Sequence, residues 1–190
     1  LHHFGVCHHS QPGAVYISQA TELGTVYTPE EIRGIADLIH PYGMVLHMDG
    51  ARLANACAAL GRTMRELTVD AGVDILSFGG TKNGMMMGEA VVSFRPELTA
   101  NLPYFRKQSA QLASKMRYLS AQLIPSLENG LWLENARQAN AQAKRLEELL
   151  RGYPQIRFTQ AVETNQLFFT LPRGVSEELL KRCFFYTWNE

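Results

Sequence analysis

His47-Met48-Asp49-Gly50-Ala51-Arg52 and Ser77-Phe78-Gly79-Gly80-Thr81-Lys82-Asn83-Gly84 decide the fold of this chain. Asp49 and Lys82 lie 33 positions apart (82 − 49). Each string closes an apolar run, Met44 to Met48 in one case and Ile75 to Phe78 in the other, with the length and composition of a buried strand. Each therefore puts its polar residue where a strand gives way to a turn or helix. In open α/β sheets, ligands gather at the carboxyl ends of strands. Period-two alternation puts Val45, His47 and Asp49 on one face and Leu46 and Met48 on the other.

Working outward, Ala14 to Ser18 is a further β-rich run. Thr28-Pro29-Glu30-Glu31 predicts a helix start, with Thr as N-cap, Pro at the first helical position and Glu at the third. Ile32, Ile35, Ala36 and Ile39 recur at helical spacing until Pro41-Tyr42-Gly43 stops them. Arg52 to Leu60 and Met64 to Ala71 read as helices, and Ala90 to Phe94 as a fourth strand. Alternating strands and helices predict an α/β fold, a mostly parallel sheet with flanking helices.

The second half changes character. Phe105, Leu112, Met116, Leu119 and Leu123 predict one long helix, broken near Pro125. Trp132, Ala136, Ala139, Ala143, Leu146 and Leu150 predict a second. Short strands over Ile156 to Thr159 and Gln166 to Leu171 follow, then a helix from about Ser176. We read residues 1–127 as part of a large domain with a helical connector, and residues 128–190 as part of a smaller α/β domain.

Composition narrows the function classes. Eighteen Lys and Arg against 18 Asp and Glu leave no global field for nucleic acid or an anionic membrane. The apolar runs are strand-sized, far short of a membrane span. Leu1-His2-His3-Phe4-Gly5 has neither the basic nor the apolar region of a signal peptide. Three scattered cysteines, Cys7, Cys57 and Cys183, suit a reducing cytoplasm better than a disulfide framework. The chain starts without Met and stops inside the strand-like Phe184-Phe185-Tyr186-Thr187-Trp188-Asn189-Glu190, so it reads as a piece of something longer.

An acid at one strand end and a lysine at another suit pyridoxal phosphate (PLP). A carboxylate there keeps the pyridine nitrogen protonated, and an amine forms the Schiff base. Asp49 followed by Gly also suits plain capping of the next helix, and Lys82 also suits a solvated loop. Arg52, about one helical turn beyond Asp49, can bind a carboxylate through two parallel hydrogen bonds, or stand as an ordinary surface arginine. A nucleoside-triphosphate loop fails around Lys82, because no Gly precedes a Gly-Lys pair by four residues and Asn83 stands where Ser or Thr is needed. Gly79-Gly80-Thr81 is not a dinucleotide-binding fingerprint either.

Val45 to Arg52 followed by Phe78 to Gly84 resembles the low-specificity L-threonine aldolases of the β-eliminating lyase family, fold-type I PLP enzymes. Gln19-Ala20-Thr21-Glu22-Leu23-Gly24-Thr25-Val26-Tyr27-Thr28-Pro29-Glu30-Glu31 is similar to a bacterial branch of that family. The resemblance runs over the whole chain, most firmly over residues 14–95. It implies that Lys82 is the Schiff-base lysine, that Asp49 pairs with the pyridine nitrogen and that Arg52 binds the substrate α-carboxylate. Thr81 becomes a candidate hydroxyl contact near the phosphate. The implied reaction is retro-aldol cleavage of threonine or allo-threonine to glycine and an aldehyde, by a carbon–carbon lyase working as a homodimer or homotetramer.

In this family the ring-stacking histidine and the Gly-Thr phosphate segment lie upstream of the quoted motifs, and a second carboxylate-binding arginine lies downstream. Glu22 stands where some members carry a histidine, so Glu22 or a water is the candidate base for the β-hydroxyl, with a plain surface carboxylate as the alternative. His47 is expected as a packed core histidine, or else as a support for Asp49 at the cofactor. Met85-Met86-Met87 is expected to pack around the lysine turn. His2, His3, His8 and His9 with Cys7 show no spacing that sets up a tetrahedral site, so no metal is expected. Two alternatives stand beside the aldolase: another fold-type I enzyme (an aminotransferase or β-eliminating lyase), or a non-catalytic, dimerising fragment.

Overall fold

In the computed structural model, which describes residues 3–188, the three apolar runs become adjacent parallel strands. β1 (Ala14–Ser18), β2 (Val45–Gly50) and β3 (Ile75–Gly79) pair in chain order, with Ile17 opposite Met48 and Met48 opposite Leu76. The predicted fourth strand forms as β4 (Glu89–Ser93) but runs antiparallel to β3, Gly79 facing Glu89. Residues 80–88 are all that join the two, too few for the crossover of about a dozen or more residues that a parallel neighbour needs.

α1 (Pro29–Ile39) connects β1 to β2. Its capping box is complete: Thr28 Oγ1 accepts the Glu31 N–H at 3.2 Å, and Glu31 Oε2 accepts the Thr28 N–H at 2.8 Å. α2 (Leu53–Leu60) and α3 (Met64–Leu67) lie between β2 and β3. The helix predicted over Met64 to Ala71 is split. Thr68 leaves helical geometry and its hydroxyl donates to the Met64 carbonyl at 2.7 Å, so α3 stops and a separate 3-10 turn spans Val69–Ala71.

One face of the sheet carries the core. Ile17, Leu46, Met48, Leu76 and Phe78 pack against Ile32, Ala36 and Ile39 of α1, Leu53, Ala56 and Cys57 of α2, and Leu67 of α3. Each large side chain buried this way contributes roughly 1.5–3 kcal/mol. At the amino-terminal edge of β3, buried Asp74 accepts the Leu46 N–H at 2.7 Å and pairs with His40 Nε2 at 2.9 Å and Arg95 Nη1 at 3.5 Å. That carboxylate ties the strand starts together, at the end of the sheet away from Asp49 and Lys82.

The predicted long helix after residue 100 does not form. Three short ones stand there, α4 (Leu102–Gln108), α5 (Arg117–Ser120) and α6 (Leu123–Glu128). Ala110 at φ 57° and Lys115 at φ 60° adopt left-handed conformations that a right-handed helix cannot pass through. Pro125 does not break a helix, because it sits in the first turn of α6, where an amide proton has no helical partner to lose. The second predicted helix is α7 (Leu131–Leu150), with Ala136 and Ala143 buried. It packs on α2 through an amide exchange: Asn55 Nδ2 donates to Asn140 Oδ1 at 2.9 Å, and Asn140 Nδ2 to the Asn55 carbonyl at 3.0 Å.

β5 (Arg157–Phe158) and β6 (Phe169–Thr170) form an antiparallel pair within the two predicted runs, much shorter than expected. α8 (Arg173–Leu180) begins ahead of Ser176. Phe184 to Trp188 forms no strand, and the rest of that predicted run, Asn189 and Glu190, lies outside the described residues. Among the described residues no helix is long and apolar enough to cross a membrane.

Candidate active site

Register builds the site. Ser18, Asp49 and Ser77 align across the carboxyl ends of β1, β2 and β3, and Tyr16 aligns with His47 one pleat earlier. All lie on the face opposite the core. There a cavity of about 490 Å³ is lined by Tyr16, His47, Asp49, Ala51, Ser77, Thr81, Lys82 and Glu89, a size usual for small-molecule pockets. Asp49 and Lys82, separate in sequence, thus open on one space.

Asp49 has a donor on each oxygen. Oδ1 accepts the Ala51 N–H at 2.8 Å and Oδ2 accepts the Tyr16 hydroxyl at 2.6 Å. The carboxylate organises the turn into α2 and faces the cavity at once, so its capping and ligand-facing readings coexist. Close packing of the turns depends on two glycines. A Cβ on Gly50 would stand 2.6 Å from Leu76 Cδ1, and one on Gly79 would stand 2.6 Å from Ala51 Cα.

Lys82 lies in the 3-10 turn Thr81–Asn83, closed by Gly84 at φ 102°, and its side chain is exposed. The turn is held from several sides. Thr81 Oγ1 accepts the Gly88 N–H at 3.1 Å. Asn83 Nδ2 donates to the Trp132 carbonyl at 2.8 Å, and Asn135 Nδ2 donates to the Asn83 carbonyl at 3.1 Å. Gln122 accepts the Met86 N–H at 2.8 Å and donates to the Met87 carbonyl at 3.1 Å. Of the methionine run only Met85 packs inward; Met86 and Met87 are exposed, because Gln122 holds their backbone at the surface.

His47 is a correction to the packed-core expectation. Sharing the Asp49 face, it is half-buried and lines the cavity, with Nε2 2.9 Å from Ser77 Oγ and its ring 5.2 Å from the Tyr16 ring, edge to face. Arg52 is half-buried at the N-cap of α2, outside the cavity lining. Glu22 is exposed and also outside the lining, although its charge acts on Tyr16. Sequence reasoning did not single out Tyr16, Ser77 or Glu89. Strand alternation was the available signal for Ser77, two residues before Gly79, whereas Tyr16 and Glu89 enter only through strand pairing.

The Tyr16 hydroxyl is held above its ordinary pKa, first by its hydrogen bond to Asp49, then by burial and by the charge of that carboxylate. Among the described residues no group of three His, Cys, Asp or Glu is placed to hold a metal ion. His3 stacks on His9 at 4.1 Å, and His2 lies outside the described residues.

The chain matches the family model described as beta-eliminating lyase over residues 1–172. It is 46% identical over 182 residues to the low specificity L-threonine aldolase of a Pseudomonas species, and 45% identical over 182 residues to that of Pseudomonas aeruginosa. Each match covers 95% of this chain and 53% of the relative, so the chain spans about half the length of the curated relatives it matches. A threonine aldolase structure from Leishmania major superposes with a TM-score of 0.92 at 31% identity, over 100% of this chain and 55% of that one. A PLP-dependent aminotransferase from Streptococcus suis superposes at 0.64 with 16% identity, over 90% of this chain and 46% of the other, a likeness of fold alone. The mostly parallel α/β architecture is thus the fold-type I one that the motifs implied. With the family model matching residues 1–172, the chain belongs to the β-eliminating lyase family.

Proposed function

We propose that this chain forms part of a PLP-dependent threonine aldolase, a lyase that cleaves threonine or allo-threonine to glycine and an aldehyde. The observation that carries the reading is the shared cavity, with an anchored carboxylate at one strand end and an exposed amine at the next. That donor set fits PLP, since the amine is free for a Schiff base and the carboxylate has lone pairs left for a ring N–H. When bound, the cofactor supplies the electron sink for the charge left on Cα as the Cα–Cβ bond breaks. The two Pseudomonas relatives, named for this activity, support the substrate class.

Each residue then has a stated task. Lys82 Nζ anchors the cofactor, and Asp49 holds the proton on its pyridine nitrogen. Thr81 Oγ1 accepts the Gly88 N–H and keeps its own proton for a phosphate oxygen. His47 supports the ring-nitrogen side of the site through its contact with Tyr16. Arg52 binds the substrate α-carboxylate by turning from the start of α2 toward the cavity. Glu22, or a water, takes the proton of the β-hydroxyl. Part of a large domain with a helical connector over residues 1–127, part of a small one over 128–190, a cytoplasmic location and a homodimer or homotetramer complete the proposal.

The test uses a full-length protein carrying this segment. It should take up PLP with a visible absorption band that borohydride abolishes as it fixes the cofactor covalently at Lys82, and it should release acetaldehyde from threonine. In Lys82→Ala both the covalent trapping and the turnover should disappear. A band that survives Lys82→Ala overturns the assignment of the lysine. Silence with threonine together with turnover of an oxo-acid acceptor overturns the aldolase in favour of an aminotransferase.

A further inference from the structure

We infer that Tyr16 is a positioning residue, whose hydroxyl sets the plane of the Asp49 carboxylate that meets the cofactor's ring nitrogen. The inference rests on the PLP reading and deepens it. At 2.6 Å the Tyr16–Asp49 contact has the length of a hydrogen bond to a charged oxygen. The Ala51 N–H holds the other oxygen. Rotation about the last bond of an aspartate is soft, with broad preferences. Two donors from different elements, one on each oxygen, fix it; with only the backbone donor the carboxylate can swing.

Tyr16 is itself braced. Its ring meets the His47 ring edge to face, and His47 is held by Ser77. A connected line of side chains therefore crosses the strand ends, from Ser77 on β3 through His47 on β2 to Tyr16 on β1, and returns to Asp49. A tyrosine that merely decorated a strand would need no such line. Tyr16 is 57% exposed and lines the cavity, so its hydroxyl is not there to fill a core.

The donor also stays a donor. The groups facing it are Asp49 and His47 from β2, Glu22 from the segment after β1, Glu89 from β4 and Lys82 from the turn after β3. Asp49 and Glu22 raise the hydroxyl's pKa, Asp49 chiefly through the hydrogen bond, and Ser18 opposes them. Tyr16 accordingly keeps its proton to a higher pH than an ordinary tyrosine does.

The experiment compares Tyr16→Phe with wild type in the full-length protein. In the cofactor-free form, with tyrosine labelled at the ring carbon bearing the hydroxyl, nuclear magnetic resonance should show Tyr16 titrating above the ordinary tyrosine value. That titration should move back in Asp49→Ala. In the loaded form, Tyr16→Phe should still trap PLP at Lys82. It should shift the pH midpoint of the visible band by about half a pH unit or more and lower kcat about tenfold, with little change in KM. In the Asp49→Ala background Tyr16→Phe should add no further shift. A normal wild-type band with an unmoved Tyr16→Phe profile overturns this inference alone. A wild-type protein with no Lys82-dependent band overturns the PLP reading, and this inference with it.

Discussion

On one face of the four-stranded sheet Leu46, Met48, Leu76 and Phe78 are sealed beneath α1, α2 and α3; on the other, alternate residues of the same strands line an open cavity. His47 lies between Leu46 and Met48, and Ser77 between Leu76 and Phe78. The two faces therefore cannot be chosen independently. Slipping any strand by one residue would send its apolar set to the cavity and its polar set into the core. Burial on the apolar face, several side chains at roughly 1.5–3 kcal/mol each, is what presents Asp49 to the cavity. The site's precision is thus derived from the core behind it.

Substitutions on the two faces should separate cleanly. Asp49→Ala should lower turnover about a hundredfold or more while leaving some cofactor bound, as removing a fixed electrostatic partner does. Its unfolding free energy should fall by about 0.5–2 kcal/mol, the scale of a lost helix-start cap, because Asp49 is half-buried and accepts from the Ala51 N–H and the Tyr16 hydroxyl. Near-normal turnover would break the comparison from the cavity side. Leu46→Ala, at a position with no solvent exposure, should cost about 2–5 kcal/mol in denaturant unfolding. Its folded fraction should keep wild-type kcat. A stability change well under 1 kcal/mol (about the low end of core truncations) would break it from the core side.

The smallest effect concerns pH. Because the folded chain raises the pKa of Tyr16, the folded state holds that proton more tightly than the unfolded one. The Tyr16–Asp49 contact therefore contributes stability that is fully present below the unfolded tyrosine value of about 10 and is lost as pH rises through the folded value. Urea unfolding of wild type and Tyr16→Phe across alkaline pH should show a wild-type advantage that shrinks above about pH 10. An advantage that grows there would contradict the assigned hydrogen bond.

Much of the first half was readable because its signals are local. The Thr28 and Glu31 pair declared α1, and period-two alternation declared which side of β2 carries His47 and Asp49. Between residues 100 and 130 the same reasoning failed. Apolar spacing matched one helix, but Ala110 and Lys115 take left-handed conformations that neither residue type advertises. The antiparallel turn of β4 and the shortness of β5 and β6 were likewise invisible, because strand pairing is a property of two segments and not of one.

The sequence by itself determined the parallel core strands, the capped helix between the first two, and the acid and amine whose pairing suits PLP. Those features follow from periodicity and from contacts a few residues long. Only the tertiary structure decided that Tyr16 reaches Asp49 across 33 positions and that Asn83, beside Lys82, is held by α7 across 49. It also kept Arg52 and Glu22 out of the cavity lining and brought His47 into it. Such placements depend on strand register and on a distant helix docking, where the energy comes from burial summed over many residues and no single residue carries the signal.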